Sequence, residues 1–554
     1  MCSSCRKGQL LLLLGAAAQA KKTVCRRDAI RTCADCKFTQ DYVAHESEVW
    51  HMKSCLIIGA GYAGMALANI LGKAGYKVDV YEKNQHPGGR IQEERYDGYA
   101  FDIGPSWYLM PEVFQDYYAI FGESAQERLD LMRLSPGYKV FFENYDSIVL
   151  QGNIEQDKQL FESIEKGAGK KLEQYVTQST RAYELSVRYF LYNNFLRVRD
   201  VVRPAVIANA PKMLYLVAQR LDGYVSKKFR DLRLRQLLEY HMVFLGSSPF
   251  QAPAIYTLMS HLDYKSGVYY PRRGMYSLVD DMQALGKNYD ITYHYGRAVE
   301  EIIVENGEAA GIRLGDGVQA SADIIVSNAD LHLTETKMLP SAYQSFTENY
   351  WINRQPGPGA LLVSLGVKGE LPDLLHHNLY FVEDWRGNFR AIYEDKKIPE
   401  NASIYVCNPT KTDPSLAPKG HENLFMLMPL PADVELSEKE QNRLADRAID
   451  TFAAASNISD LRQRIVSRRL FGPRDFKLHF NAWQYNAFGG ESHLLRQSVL
   501  FRTPNKSKKL KDLYYVGAGT VPGIGLPMCL ISAQLTYKQI IKNKKAGPLN
   551  EGDF

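Results

Sequence analysis

The sequence has no long apolar run, few cysteines and no excess of one charge. No apolar run approaches the roughly 18 residues that a membrane-spanning helix needs, so the chain is not expected to cross a bilayer. Eight cysteines in 554 residues are too few for a disulfide scaffold. The 67 basic and 62 acidic side chains balance too closely for a nucleic-acid-binding protein. These absences favour a reduced, intracellular protein without a nucleic-acid partner.

The length and composition indicate an ordinary globular protein of more than one domain. A chain of 554 residues exceeds what one hydrophobic core supports, so two or more domains are expected, and they can be interleaved along the sequence. The 45% hydrophobic and 23% charged residues are typical of globular proteins.

Residues 1–51 are interpreted as a leader that precedes the folded part. A basic start, a short apolar run and a small-residue site outline a secretory signal, while the excess of Lys and Arg over acids suits an organelle transit peptide. We favour a poorly ordered leader, or Met52 as the functional start. No metal site is expected, because the two CxxC pairs stand further apart than in a usual zinc ribbon: Cys2 with Cys5, and Cys33 with Cys36.

A glycine-rich turn follows the first apolar strand of the body, Cys55–Ile58, and precedes an alanine-rich helix, Ala63–Lys73. Its GxGxxG pattern permits a tight turn, close approach to a pyrophosphate, and close packing of helix on strand. The next strand ends in Glu82, whose carboxylate can accept hydrogen bonds from ribose hydroxyls. This order predicts a Rossmann-like dinucleotide-binding fold, against the alternative of a structural turn, and its glycines are Gly59, Gly61 and Gly64.

The segment after Glu82 distinguishes FAD from NAD. Gly88-Gly89-Arg90 resembles the GGR segment of flavoproteins such as amine oxidases and carotenoid desaturases. Arg90 can offer a guanidinium to the pyrophosphate, and Gly89 lets the backbone come close. NAD dehydrogenases lack this extension, so FAD is the predicted cofactor. The alternative is a surface turn with a solvated arginine.

The C-terminal part offers a second approach to the cofactor. A strand Leu513–Val516 runs into Gly517-Ala518-Gly519-Thr520, and a helix begins near Leu526. The dipole of that helix can stabilise negative charge on the flavin ring. The alternative is a C-terminal helix that only packs against the body.

The predicted fold class is α/β: a Rossmann-like FAD-binding domain interleaved with an α+β substrate domain and a helical membrane-contacting region. Val201–Phe229 carries the basic, amphipathic pattern of a membrane interface, although an ordinary lid helix fits it equally well. The predicted parts are a leader (1–51), three FAD-binding segments (52–150, 266–330, 501–545), a helical region (151–265), a substrate domain (331–500) and a tail (546–554).

By these motifs the chain resembles the bacterial-type phytoene desaturases, a family of FAD-dependent carotenoid desaturases. The resemblance covers nearly the whole chain after the leader, in segments such as "FDIGPSWY", "SNAD", "DPSLAPKG" and "VGAGTVPGIGLP". It implies non-covalent FAD, a long apolar tunnel for a carotenoid, and a quinone or oxygen as electron acceptor. It also implies peripheral attachment to the cytoplasmic side of a membrane. If a transit peptide is present, the membrane is that of a plastid or another organelle.

The resemblance also implies which residues line the FAD site. The set is Gly59, Gly61, Ala63, Gly64, Glu82, Lys83, Gly89, Arg90, Val299, Gly519, Thr520 and Met528. Three positions depart from the family pattern: Val521 replaces a histidine, while Met528 and Arg273 occupy glycine positions. The stretch "AWQYNAFGGESHLL" also differs from the family pattern. These departures bear on the substrate rather than on the cofactor.

The catalytic residues are less well indicated by the sequence. Desaturation removes a hydride, which flavin N5 can accept, and a proton, for which a protein base is optional. Asp413 is the first carboxylate to test, although a turn aspartate that caps Ser415 is the more ordinary interpretation. The pair His376-His377 has no metal partner at a useful spacing and is interpreted as structural.

The same motifs are also compatible with other functions. A carotenoid isomerase, a carotenoid oxidase or a retinol saturase belongs to the same superfamily. An amine oxidase would share only the FAD segments. A Rab GDP-dissociation inhibitor, from a different functional class, shares the fold and binds prenylated proteins without FAD catalysis. Glu82, Gly89-Arg90 and the C-terminal glycine loop argue against that last alternative.

Overall fold

The computed structural model describes residues 52–195 and 203–554. The predicted leader, with both CxxC pairs, lies outside these residues, as do the first two residues of the predicted membrane-interface stretch.

A parallel sheet of five strands forms the centre of the predicted FAD-binding domain. The strands predicted at these places are confirmed to within two residues at their ends. Three separate parts of the chain contribute to the sheet, whose spatial order is Leu513–Tyr515, Ile324–Ser327, Ser54–Ile58, Lys77–Tyr81 and Ile291–His294.

A mixed sheet of seven strands forms the centre of the predicted substrate domain. Its order is Ile465–Phe471, Gly359–Lys368, His421–Leu430, Ile404–Cys407, His377–Phe381, Tyr138–Phe142 and Ile148–Leu150. The last two strands correct the predicted boundary at residue 150, because Tyr138–Phe142 pairs in parallel with His377–Phe381. Local pattern does not reveal a pairing between segments more than 230 residues apart.

The remaining strands form small sheets, and the longer helices cover the two large ones. An antiparallel sheet of three strands takes up the predicted meander: Val299–Glu305, Glu308–Leu314 and Gln319–Ser321. Two-stranded pairs are Gln92–Tyr96 with Tyr99–Ile103, and Leu131–Arg133 with Tyr269–Pro271. The described helices of eight or more residues are Tyr62–Lys73, Pro111–Ala119, Ile154–Ile164, Ala168–Ser186, Pro204–Val217, Leu232–Glu239, Ser277–Gly286, Trp385–Tyr393, Glu438–Ala455, Pro473–Phe480 and Leu526–Ile540.

The helix Tyr62–Lys73 is buried almost all round, since it packs against the five-stranded sheet on one side and Leu526–Ile540 on another. Its small residues at Ala63, Gly64, Ala66 and Ala68 suit that crowding. In the part of the chain that the structure describes, no helix combines the length and the apolar character needed to cross a bilayer.

Arg273 is a strained position in the loop before the helix Ser277–Gly286. Its φ is +75°, in the left-handed region that favours glycine, and its side chain is exposed. The backbone N–H of Arg273 donates to Asp413 Oδ2 at 2.9 Å, which holds the loop in this conformation. The family pattern has glycine here, and the strain explains that preference.

Replacing Arg273 with glycine should therefore stabilise the protein. Relief of the left-handed strain outweighs the added entropy of the unfolded chain, for a net gain of about 0.5–1 kcal/mol. We expect Arg273→Gly to raise the thermal midpoint by about 1 °C in a chain of this size. Arg272→Gly is the matched control and should lower the midpoint, because Arg272 has no positive φ and ion-pairs with Asp130. A midpoint that falls in Arg273→Gly would contradict this account.

Candidate functional site

The two glycine motifs of the N-terminal segment lie directly against each other. Gly88 N–H donates to Ala60 O at 2.8 Å, and Gly61 forms an isolated β-bridge with Gly88. A methyl group added to Gly89 would lie 3.0 Å from Gly61 Cα. The GxGxxG turn and the GGR segment therefore form one backbone surface without side chains, as a diphosphate needs.

Glu82 is held in place beside this surface. Its side chain accepts hydrogen bonds from Ala60 N–H and Asn84 N–H, both at 2.8 Å, and only 6% of the residue is exposed. Burial raises the pKa of the Glu82 carboxyl, while the two N–H groups oppose that rise. The carboxylate thus has a fixed orientation at the end of the second parallel strand, where the predicted ribose contact lies.

Asn328 connects the glycine turn with the C-terminal loop. Its Oδ1 accepts from Gly64 N–H at 3.2 Å, and its Nδ2 donates to Val516 O at 2.9 Å. Methyl groups added to Gly61 and Gly64 would lie 2.6 and 2.8 Å from Asn328 Oδ1, and one added to Gly517 would lie 2.6 Å from Nδ2. These glycines leave room for the Asn328 side chain. The sequence analysis did not include Asn328 in the site, although it stands in the "SNAD" segment directly after a buried strand.

The C-terminal loop presents its backbone and a helix end to the same region. Thr520 is buried, and its hydroxyl donates to Gly517 O at 2.9 Å, which fixes the loop. The helix Leu526–Ile540 begins directly after this loop, with Met528 in its first turn. Its free N–H groups and dipole favour negative charge at this end.

Arg90 is half-buried, and its buried Nε has unsatisfied hydrogen-bonding capacity. Its Nη2 donates to Asn486 O at 3.3 Å and its guanidinium lies over the ring of Phe480, but its Nε has no partner among the described residues. Burial lowers the pKa of this guanidinium, and Asp330 opposes that shift. Such a cation is suited to an anionic ligand.

The predicted cofactor residues surround one cavity of about 1450 Å³. Gly64 is the exception, because it packs against Asn328 behind the turn. Small-molecule sites usually occupy about 300–1,000 Å³, so this cavity has room for a cofactor and a second ligand. The lining residues from the predicted set are Gly59, Gly61, Ala63, Glu82, Lys83, Gly89, Arg90, Val299, Gly519, Thr520 and Met528.

The rest of the cavity wall is largely apolar and comes from the helical region and the seven-stranded sheet. Phe190, Met213, Phe244, Leu258 and Leu427 are typical of it. Four lining residues are also strongly exposed, and we call them the apolar rim: Leu214 (66%), Leu495 (46%), Leu500 (50%) and Phe501 (58%). The cavity thus opens to solvent between hydrophobic side chains, and the sequence analysis did not anticipate the part from residues 495–501.

Asp413 is not among the residues that line this cavity. It accepts from Ser415 N–H and Oγ–H at 3.0 and 2.6 Å, and from Arg273 N–H. Burial favours the neutral acid, but the hydrogen bonds from Ser415 and Arg273 lower its pKa overall. Asp413 therefore has the capping role that the sequence offered as the alternative to a base.

The pair His376-His377 has neighbours that spacing did not indicate. Antiparallel pairing places Cys407 opposite His377, and one possible ligand atom from each of the three residues lies within 4.8 Å of the others. Both Nδ1 atoms are engaged: His376 Nδ1 lies 2.6 Å from Thr412 Oγ1, and His377 Nδ1 lies 2.7 Å from Tyr405 Oη. Burial lowers the pKa of both imidazoles, so they are neutral.

Asn328 generates a direct prediction for cofactor binding. Asn328→Ala removes both side-chain hydrogen bonds and leaves buried polar backbone groups unpaired, which costs about 1–3 kcal/mol for each. We expect lower flavin content after gel filtration and a lower thermal midpoint that excess FAD partly restores. Asn353→Ala, in an exposed helix turn, is the control and should keep both values. Full flavin content in Asn328→Ala would show that the two hydrogen bonds of the Asn328 side chain are dispensable for FAD binding.

The residues present fit FAD. A side-chain-free diphosphate surface, a carboxylate for the ribose, a half-buried arginine with an unpartnered Nε, and a helix start all face one cavity. A protein that bound a lipid alone would have no use for this set.

Comparison with known proteins agrees with this fit. Residues 62–541 match the family model for flavin containing amine oxidoreductases. The carotenoid 3,4-desaturase of Haloarcula japonica is 37% identical over 487 residues, covering 88% of this chain and 98% of that protein. The zeta-carotene-forming phytoene desaturase of Myxococcus xanthus is 33% identical over 488 residues, covering 88% and 93%.

Solved structures share the fold at low sequence identity. Putrescine oxidase superimposes with a TM-score of 0.57 at 14% identity and covers 89% of this chain and 99% of its own. A Rab GDI from Plasmodium falciparum has a TM-score of 0.50 at 11% identity over 89% and 99%. These similarities show the fold alone, while the family match covers most of the sequence. The chain belongs to the flavin-containing amine oxidoreductase family and is an FAD-dependent oxidoreductase.

Proposed function

We propose that this protein desaturates a carotenoid precursor such as phytoene in carotenoid biosynthesis. The observation that carries the proposal is a shared cavity, in which the predicted FAD-binding residues adjoin a long apolar wall. The names of the relatives, which are carotenoid and phytoene desaturases, support the same substrate class. A carotenoid isomerase, a carotenoid oxidase or a retinol-saturase-like activity is the alternative within the superfamily.

The protein's own contribution is to bind the substrate, to align its reacting carbons and to exclude water from them. When bound, FAD supplies the acceptor for a hydride. The glycine turn and Arg90 would hold its diphosphate, Glu82 would hold its ribose, and the start of the helix Leu526–Ile540 would favour negative charge at the flavin end. A carotene has no polar group, so the shape of the apolar wall must place its C–H bonds. The wall also excludes water from the reacting carbons.

Pigment composition tests this function directly. Cells that make phytoene and express this protein should accumulate carotenes with more conjugated double bonds, detected by chromatography with absorbance spectra. Glu82→Ala, which removes the fixed carboxylate at the FAD site, should lower the conversion at least tenfold, as a matched inactive control. A changed cis/trans ratio without new double bonds would favour the isomerase, and an unchanged phytoene pool would reject the proposal.

We also propose that the protein works at a membrane surface, from which its substrate enters the cavity. The helix Pro204–Val217 supports this, because one face lines the cavity through Val206, Ala210 and Met213 while Ile207 and Tyr215 stand exposed (57% and 55%). The apolar rim continues this surface around the opening. Exposed Lys212 and Arg220 beside it suit anionic lipid headgroups. A quinone dissolved in the same membrane, or oxygen, serves as the electron acceptor.

Vesicle sedimentation measures this attachment. Ile207→Glu combined with Leu214→Glu puts charge on the exposed apolar face, so binding to vesicles of phosphatidylcholine with anionic phosphatidylglycerol should fall at least fivefold. Val318→Glu changes a residue that is 50% exposed and does not line the cavity, and it should bind as the wild type does. Equal binding by the double variant would contradict the proposed surface.

A further inference from the structure

A hydroxyl group stands on the wall of the apolar cavity in a fixed network. Tyr405 lines the cavity from the strand Ile404–Cys407, and its residue is 9% exposed. Ser106 Oγ donates to Tyr405 Oη at 2.7 Å, and His377 Nδ1 lies 2.7 Å from the same oxygen. In the His377 tautomer that carries its proton on Nε2, Nδ1 accepts the hydrogen bond that the Tyr405 hydroxyl donates.

This network is anchored to the FAD motif. Ser106 follows Gly104-Pro105, and a methyl group added to Gly104 would lie 2.0 Å from Arg90 O, so the two segments touch. Trp107 stacks on His377 with ring centroids 4.1 Å apart and planes 8° apart, and it also lines the cavity. Tyr405 is therefore tied through Ser106 to the segment that carries Arg90, on the cofactor side of the cavity.

A hydrocarbon substrate gives this hydroxyl nothing to recognise. Polar groups in an apolar wall cost free energy, and a carotene offers no hydrogen bond in return. The reaction under "Proposed function", on which this inference rests, does require a proton acceptor. The hydride leaves one carbon with both electrons of its C–H bond, and the neighbouring carbon loses a proton while that bond's electron pair becomes the new C=C bond.

We propose that Tyr405 is the catalytic residue that accepts this proton, with His377 as its relay. Tyr405 Oη takes the proton from the substrate carbon as its own hydroxyl proton passes to His377 Nδ1. With FAD bound, the hydride would pass to it with both electrons of the C–H bond. Reoxidation would deliver two electrons and two protons to a quinone or oxygen: one proton would come with the hydride from the reduced cofactor, and the other would pass from His377 through Tyr405 to that acceptor, which restores the starting state.

His377 is neutral before the reaction, because burial lowers its pKa well below the ordinary value. In the tautomer that carries its proton on Nε2, Nδ1 has the lone pair that accepts the phenol's proton. A weak base is sufficient, because a C–H bond next to a carbon that is losing a hydride is strongly acidic.

Other titratable groups on the cavity are less well placed. His493 Nε2 lies 3.5 Å from the buried Arg502 guanidinium, whose charge opposes a second cation. Asp330 accepts three backbone N–H groups and faces Arg90. Two other phenols of the wall have hydrogen-bond partners: Tyr183, whose hydroxyl donates to Glu112, and Tyr515, whose hydroxyl donates to Glu335; Tyr183 serves as the comparison.

The test uses full-length protein loaded with FAD and phytoene in lipid vesicles. Tyr405→Phe should keep its FAD content, its thermal midpoint and its KM, while kcat falls at least tenfold, within the range of general acid–base effects. The solvent deuterium isotope effect of the wild type should disappear. His377→Gln should lower kcat in the same direction. Tyr183→Phe tests another hydrogen-bonded phenol, and Tyr145→Phe, at an exposed tyrosine that does not line the cavity, is the control and should stay within about twofold of the wild type.

The outcomes distinguish a failure of the Tyr405–His377 proton relay from a failure of the proposed desaturase function. A wild type that leaves phytoene unchanged overturns both. Wild-type kcat in Tyr405→Phe, beside an active wild type, overturns the proton relay alone. A loss confined to Tyr183→Phe assigns the proton to the Tyr183–Glu112 pair instead and also overturns it. If Tyr405→Phe loses FAD, the His377→Gln variant decides: full FAD content together with wild-type kcat in that variant overturns the proton relay.

Discussion

The cofactor site depends on one side chain, Asn328, which joins parts of the chain that are hundreds of residues apart. It bonds to the third glycine of the turn through Gly64 N–H and to the C-terminal loop through Val516 O. Its bulk occupies the space that side chains at Gly61, Gly64 and Gly517 would fill. The glycines thus meet two requirements: they allow close approach to a diphosphate, and they leave room for the Asn328 side chain.

The Asn328 hydrogen bonds also explain how three separate segments of the chain form one cofactor site. The three passes through the parallel sheet deliver a glycine turn, Asn328 and a helix start to the same edge. The seven-stranded sheet then covers the remaining side of the cavity with apolar residues. Putrescine oxidase shares this fold, so the fold itself does not select the substrate. Selection lies in the cavity wall, which is built here for a long apolar molecule.

Sequence reasoning worked where the signal is local. The strand, glycine turn, helix and acid from Ser54 to Glu82 follow each other directly, and their boundaries were predicted to within two residues. It failed where the partner is distant. The strand Tyr138–Phe142 joins the substrate sheet through a pairing with His377–Phe381, and the Tyr405–His377 contact depends on two strands whose register no local pattern reveals. Asn328 was missed for the same reason, because its partners are set by the sheet.

A carotene bound in this cavity should reduce the FAD held by the loops that Asn328 joins. Anaerobic mixing of the FAD-loaded protein with phytoene in vesicles tests it most directly, with the flavin absorbance near 450 nm as the signal. We expect that absorbance to fall as carotene with one more double bond appears, in a one-to-one ratio. Bleaching by a primary amine such as putrescine, with none by phytoene, would contradict the account.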